Sequence, residues 1–176
     1  GPFFPKREVK TASEIAKIAE AEAATEEAMR YVRDRIRKAK VNSRGVLCSG
    51  KTVLTCEMLR AEIEGLLKTR GYTASQTITA CGTQASQPPN LGAILAGKPV
   101  VVDIFPRSDT TGYWGDMTRT FCKGIAEPVV RKAFLSVRKA GEIAERMIRE
   151  GVCAAEVHLA AAESMAADGF QTGHTA

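Results

Sequence analysis

An α+β fold, with helices packed on one face of an antiparallel sheet, is what the order of elements in this sequence predicts. Three observations carry that prediction. A long amphipathic helical pattern opens the chain, strand-like runs bounded by turn formers occupy its middle, and two further helical patterns close it.

Thr11-Ala12-Ser13-Glu14 has the form of a capping box, and Ile15, Ile18, Thr25, Met29, Val32 and Ile36 recur behind it at helical spacing. A first helix is therefore expected over 12–39. Its acids (Glu14, Glu20, Glu22, Glu26, Glu27) come first and its bases (Arg33, Arg35, Arg37, Lys38) last, the order that suits the helix dipole. A second helix is expected from Thr55, with Leu59, Ile63, Leu66 and Leu67 on its apolar face, stopping at Gly71. Thr77 to Cys81 reads as a strand, and the turn formers of 82–90 as the loop after it. Val100 to Phe105 and Tyr113 to Cys122 read as a hairpin joined by a long tip, Pro106 to Gly112. Pro128 opens a helix at its tolerated first turn, continuing through Val137, Ile143 and Ile148 to Gly151, and another is expected over 154–168.

The 176 residues suffice for one domain or for part of a larger one. Hydrophobic residues at 44% and charged residues at 26% fit a globular chain, and no run approaches the roughly 20 apolar residues of a membrane span. The net charge of +5 is the only feature favouring nucleic acid, and its densest basic stretch closes a helix without interleaved base-stacking aromatics, so no nucleic-acid partner is expected. Five widely spaced cysteines with no Cys-x-x-Cys pair read as free thiols of a reducing compartment, which places the chain in the cytoplasm. Gly1-Pro2 reads as a protease-cleavage scar and residues 1–10 as a linker or expression remnant. The Gly- and Thr-rich end, Thr172 to Ala176, reads as a truncation.

Asp103 stands between Val100-Val101-Val102 and Ile104-Phe105, and Asp116 among Tyr113-Trp114-Gly115 and Met117. Carboxylates in apolar surroundings need a partner for their charge. In a hairpin the two come near each other on neighbouring strands, where like charges repel and a hard divalent cation with oxygen ligands would relieve them. The spacing leaves a second account open, in which Asp103 caps a turn or pairs with an arginine such as Arg119 and Asp116 takes backbone hydrogen bonds. Asp109, in the Ser-Asp-Thr-Thr-Gly tip, is explained by turn chemistry.

Val101-Val102-Asp103-Ile104, Gly112-Tyr113 and Gly115-Asp116-Met117-Thr118-Arg119-Thr120-Phe121 resemble the first metal-binding segment of the pita-bread metallopeptidases, in particular their Xaa-Pro aminopeptidase and prolidase (creatinase-like) branch. Lys10-Thr11 to Ile18 is similar to the helix that begins that family's catalytic domain, and Thr79-Ala80-Cys81-Gly82 to the strand leading to its substrate loop. The resemblance implies that Asp103 and Asp116 are ligands of two divalent metal ions (Mn, Co or Zn), with Thr118 and Thr120 beside them. It implies a pita-bread fold, of which 11–176 is the first half plus the opening helices of the second, with the helices on a curved sheet. It also implies hydrolysis, by metal-activated hydroxide, of peptides with proline at the second position.

Three departures accompany it. The aspartates are 13 residues apart, two more than is common in the family, and the extra length falls in the Ser108 to Thr111 tip. Pro88-Pro89 stands where the family often has Pro-His, so the catalytic role of that His has no residue here. The family's remaining ligands, a His and two Glu from later strands, do not occur before Ala176; His174 lacks the family's His-Gly-x-Gly-His-like surroundings, and His158 reads as a packed or surface histidine. Catalytic and substrate-binding residues are accordingly left unassigned. These 176 residues alone are expected to be inactive and to hold metal weakly or not at all. The apolar faces of the last two helices predict either a homo-oligomer or a different seat for those helices. The alternative function is a non-catalytic pita-bread module that binds peptide or protein.

Overall fold

Thr11 has extended backbone (φ −70°, ψ 160°), and its hydroxyl accepts from the Glu14 amide at 3.3 Å while the Glu14 carboxylate accepts from the Thr11 amide at 2.8 Å. Both halves of the capping box thus start helix α1, Ala12–Lys38. The computed structural model describes residues 9–83 and 91–171, so the loop containing Pro88-Pro89, the end containing His174 and residues 1–8 lie outside the described residues. The chain forms two compact units, one through Ile125 and one from Ala126 onward.

In the first unit, α1 buries Ala21, Thr25, Ala28, Met29, Val32 and Ile36. Ile15, expected on this stripe, is exposed, because the first turn meets the Tyr113 side chain through Glu14 rather than reaching the core. The chain then makes a small antiparallel meander that the sequence reading did not anticipate: β1 (Lys40–Val41), β2 (Leu47–Ser49) and β3 (Thr52–Val53). Its turn is closed by the Asn42 side chain, which accepts from the amides of Arg44 and Val46 at 2.9 and 3.0 Å. Helix α2 (Cys56–Thr69) is capped by the Thr55 hydroxyl, buries Leu59, Ile63 and Leu67, and gives way to Gly71 in the left-handed region at φ 79°. Glu62 of α2 accepts from Arg35 and from Tyr31, each at 2.9 Å, linking the two helices.

After β4 (Tyr72–Thr73) come β5 (Ile78–Cys81), β6 (Pro99–Ile104), β7 (Arg107–Ser108) and β8 (Met117–Cys122). The main sheet has the order β5-β6-β8, with both pairings antiparallel. Burial alternates strictly along β6: Val100, Val102 and Ile104 are fully buried against the helices, and Pro99, Val101 and Asp103 face the other way. The expected hairpin pairing is present with different bounds. The second strand begins at Met117 rather than Tyr113, because Arg107–Ser108 leave the sheet to pair with Tyr72–Thr73 and Trp114 bridges to Arg107. Asp109 fastens this arm by accepting from Lys68 at 2.9 Å and Thr73 at 2.6 Å, which also holds its carboxyl below the ordinary range.

The second unit is an α-helical pair, α3 (Pro128–Met147) and α4 (Ala154–Ala167), within a residue or two of expectation at the N-terminal ends and shorter for α3 at its C-terminal end. Ser136 and Ala140 are the buried residues of α3, whereas Phe134, Val137, Ile148 and Leu159 stay exposed. Lys139 and Asp168, 3.3 Å apart, tie α3 to the end of α4. Among the described residues no helix is long and apolar enough to cross a membrane.

Candidate metal-binding site

The strand register supplies the first part of an answer to why Asp103 interrupts an apolar run. With a period of two, its apolar neighbours Val102 and Ile104 point into the core and Asp103 points to the opposite face, where it is half-buried rather than enclosed. Directly across β8 stands Thr118, and its hydroxyl donates to Asp103 Oδ1 at 2.5 Å. Thr120 is the register partner of Val101, so it shares the Asp103 face. On the other flank Ile78 pairs with Asp103 and Ala80 with Val101, giving the carboxylate a small apolar surround on β5.

Asp116 lies one residue before β8 and is exposed. The backbone on either side of it is held from several directions. Gly115 N donates to Pro106 O at 3.0 Å, Asp116 N donates to Glu22 Oε1 at 3.1 Å, and Met117 enters the β6 ladder opposite Ile104. The Glu22 contact spans 94 residues and carried no signal in the sequence.

The ion pair between Asp103 and Arg119 that spacing left open does not form. Arg119 is the register partner of Val102, hence on the helix-side face, where it donates to Thr118 O at 2.8 Å and borders a groove with Glu26, Arg30 and Arg33. Among the described residues neither Asp103 nor Asp116 pairs with a lysine or arginine, and no three His, Cys, Asp or Glu come together. His158 is exposed on α4, as a surface histidine. Each carboxylate, that of Asp103 with one oxygen oriented by the Thr118 hydroxyl, offers oxygen donors of the kind that suit a hard divalent cation.

The five thiols are all free, as expected. Burial, followed by the nearby Cys81, pushes the Cys56 thiol up to about 11, so it is not an activated nucleophile.

A solved dipeptidase, PepE from Mycobacterium ulcerans, superposes with a TM-score of 0.75 at 26% identity over 92% of this chain and 40% of its own. The prolidase of Pyrococcus furiosus gives 0.75 at 24% identity over 92% and 45%, and the Xaa-Pro dipeptidase of Bacillus anthracis 0.78 at 21% over 94% and 44%. The chain thus spans less than half the length of these structures, and it shares with them the α+β pita-bread fold. No curated protein matches it. The family model of the M24 metallopeptidases matches residues 16–176, so the chain belongs to metallopeptidase family M24.

Proposed function

We propose that this chain supplies the first two ligands, Asp103 and Asp116, of a centre for two divalent metal ions in a hydrolase that cleaves peptides with proline at the second position. The observation that carries the reading is the β6–β8 register. It sets Asp103 opposite Thr118 with the hydroxyl on Oδ1, and Asp116 one residue before the start of that neighbouring strand. Thr118 orients one ligand, and Thr120 continues the polar face beside it. When bound, a divalent pair supplies the lowered pKa of an attacking water. Manganese, cobalt and zinc all suit carboxylate donors completed by an imidazole. The Xaa-Pro preference follows the named activities of the prolidase and Xaa-Pro dipeptidase that share the fold.

Two carboxylates are fewer than a dinuclear hydrolytic site uses, so these 176 residues are proposed to be inactive alone. Free thiols support a reducing, cytoplasmic setting. Exposed Phe134, Val137, Ile148 and Leu159 support self-association. The test is turnover of Xaa-Pro peptides by the full-length protein with added Mn²⁺, Co²⁺ or Zn²⁺, beside Asp116→Ala. Metal-dependent cleavage abolished by the substitution supports the reading. Peptide binding without cleavage, unaffected by Asp116→Ala, would establish the non-catalytic module instead.

A further inference from the structure

The segment that delivers Asp116 is packed unusually closely against one turn of α1. Gly115 is buried, and a Cβ built on it would lie 2.2 Å from Thr25 Oγ1, 2.6 Å from Ala21 O and 2.9 Å from Ala21 C. The Thr25 hydroxyl is folded back onto its own helix, donating to Ala21 O at 2.8 Å, which lets the two backbones approach. Glu22 and Thr25 are three residues apart and share a helix face. The same turn that touches Gly115 therefore reaches the next residue, and Glu22 Oε1 accepts the Asp116 amide at 3.1 Å. That amide precedes the first residue of the β8 ladder and has no strand partner there. A hydrogen bond at this amide sets the peptide plane from which the Asp116 side chain departs.

We infer that Glu22 is a positioning residue for the metal site: through its hydrogen bond to the Asp116 amide, α1 fixes the direction of the Asp116 carboxylate. The inference rests on the reading of Asp103 and Asp116 as metal ligands. Glu22 is not itself a third ligand here, since among the described residues no three acidic, His or Cys side chains converge. It acts on the site through the backbone: the Trp114 bridge to Arg107, Gly115 N on Pro106 O and the β8 ladder from Met117 hold the segment on either side, and Glu22 accepts the Asp116 amide itself.

The experiment compares the full-length protein as wild type, Glu22→Ala and Glu22→Gln, measuring Mn²⁺ affinity from the free-ion electron paramagnetic resonance signal and the exchange rate of the Asp116 amide by NMR without metal. Gln keeps an acceptor and removes the charge, whereas Ala removes both. Loss of a partner that orients a ligand typically weakens metal affinity by about 10-fold or more. The expected result is a loss of that order with faster Asp116 amide exchange in Glu22→Ala, and affinity within about 2-fold of wild type in Glu22→Gln. Equal affinity or equal amide exchange in wild type and Glu22→Ala overturns the inference and leaves the metal reading standing. Equal losses in Gln and Ala also overturn it, by showing that charge and not position matters. Wild-type protein with no Mn²⁺ binding sensitive to Asp103→Asn overturns the metal reading beneath it.

Discussion

Gly115→Ala tests the close packing on which the approach to Asp116 depends. Gly115 is not among the residues with positive φ, so alanine has no conformational objection to the site, and by restricting the unfolded chain it would ordinarily stabilise by about 0.4–1 kcal/mol. Against this stands steric conflict. The new methyl would lie 2.2 Å from Thr25 Oγ1 and 2.6 Å from the Ala21 carbonyl oxygen. Optimal heavy-atom separation is roughly 3.5 Å, so α1 and the segment must part by about 1 Å. Over-packing of this kind costs about 1–3 kcal/mol or more, and the larger figure applies because one obstacle is helix backbone that cannot rotate away. The net expectation is a loss of about 2 kcal/mol, read as a lower urea midpoint at unchanged slope in circular dichroism. Adding Thr25→Ala removes the nearer obstacle but leaves the Ala21 carbonyl at 2.6 Å, so the double variant should recover less than half of that loss. A Gly115→Ala protein as stable as wild type would refute the claimed contact between α1 and this segment.

Three further outcomes follow from the same geometry. Hydrogen bonds from Arg35 and then from Tyr31 hold the Glu62 carboxyl below its ordinary 4.5, so its contribution is present above that value and is lost as pH falls through the depressed folded value. Glu62→Gln should therefore flatten the acid side of the stability curve below about pH 4.5, and a curve as steep as wild type there would contradict the linkage. A thiol reagent at pH 8 should modify exposed Cys153 first and Cys56 only on unfolding, because the latter is fully buried with its thiol pushed up to about 11; native modification of both at one rate would contradict this. Light scattering should show mass rising with concentration, reduced by Phe134→Glu, since exposed Phe134 belongs to the apolar surface left on α3 and α4; a monodisperse monomer at high concentration would count against self-association.

Helix positions were legible because their determinants are local. The Thr11–Glu14 box, the Thr55 cap, Gly71 in the left-handed region and Pro128 in the first turn of α3 each act within a few residues, and the observed ends fall close to those the sequence predicts. The β6–β8 pairing was legible from two β-rich runs, but not its bounds, because the departure of Arg107–Ser108 to Tyr72–Thr73 is a long-range pairing with no local signature. The meander of 40–53 was missed since strands of two or three residues are too short to show alternation. For the site, the apolar run around Asp103 suggested an enclosed charge, whereas its burial alternates and the carboxylate faces outward. Residue types nominated Asp103 and Asp116, while the contacts of Gly115 and Asp116 with α1 arise only because the segment before β8 packs on that helix, 94 residues away in the Glu22–Asp116 hydrogen bond.

The claim that Asp103 and Asp116 hold divalent metal is most directly tested by paramagnetic broadening of amide signals during Mn²⁺ titration of the full-length protein. The account predicts that the amides of Asp103, Asp116 and Thr118 broaden first, and that Asp103→Asn or Asp116→Asn abolishes the effect. No broadening at these amides, or broadening unchanged by either substitution, would contradict it.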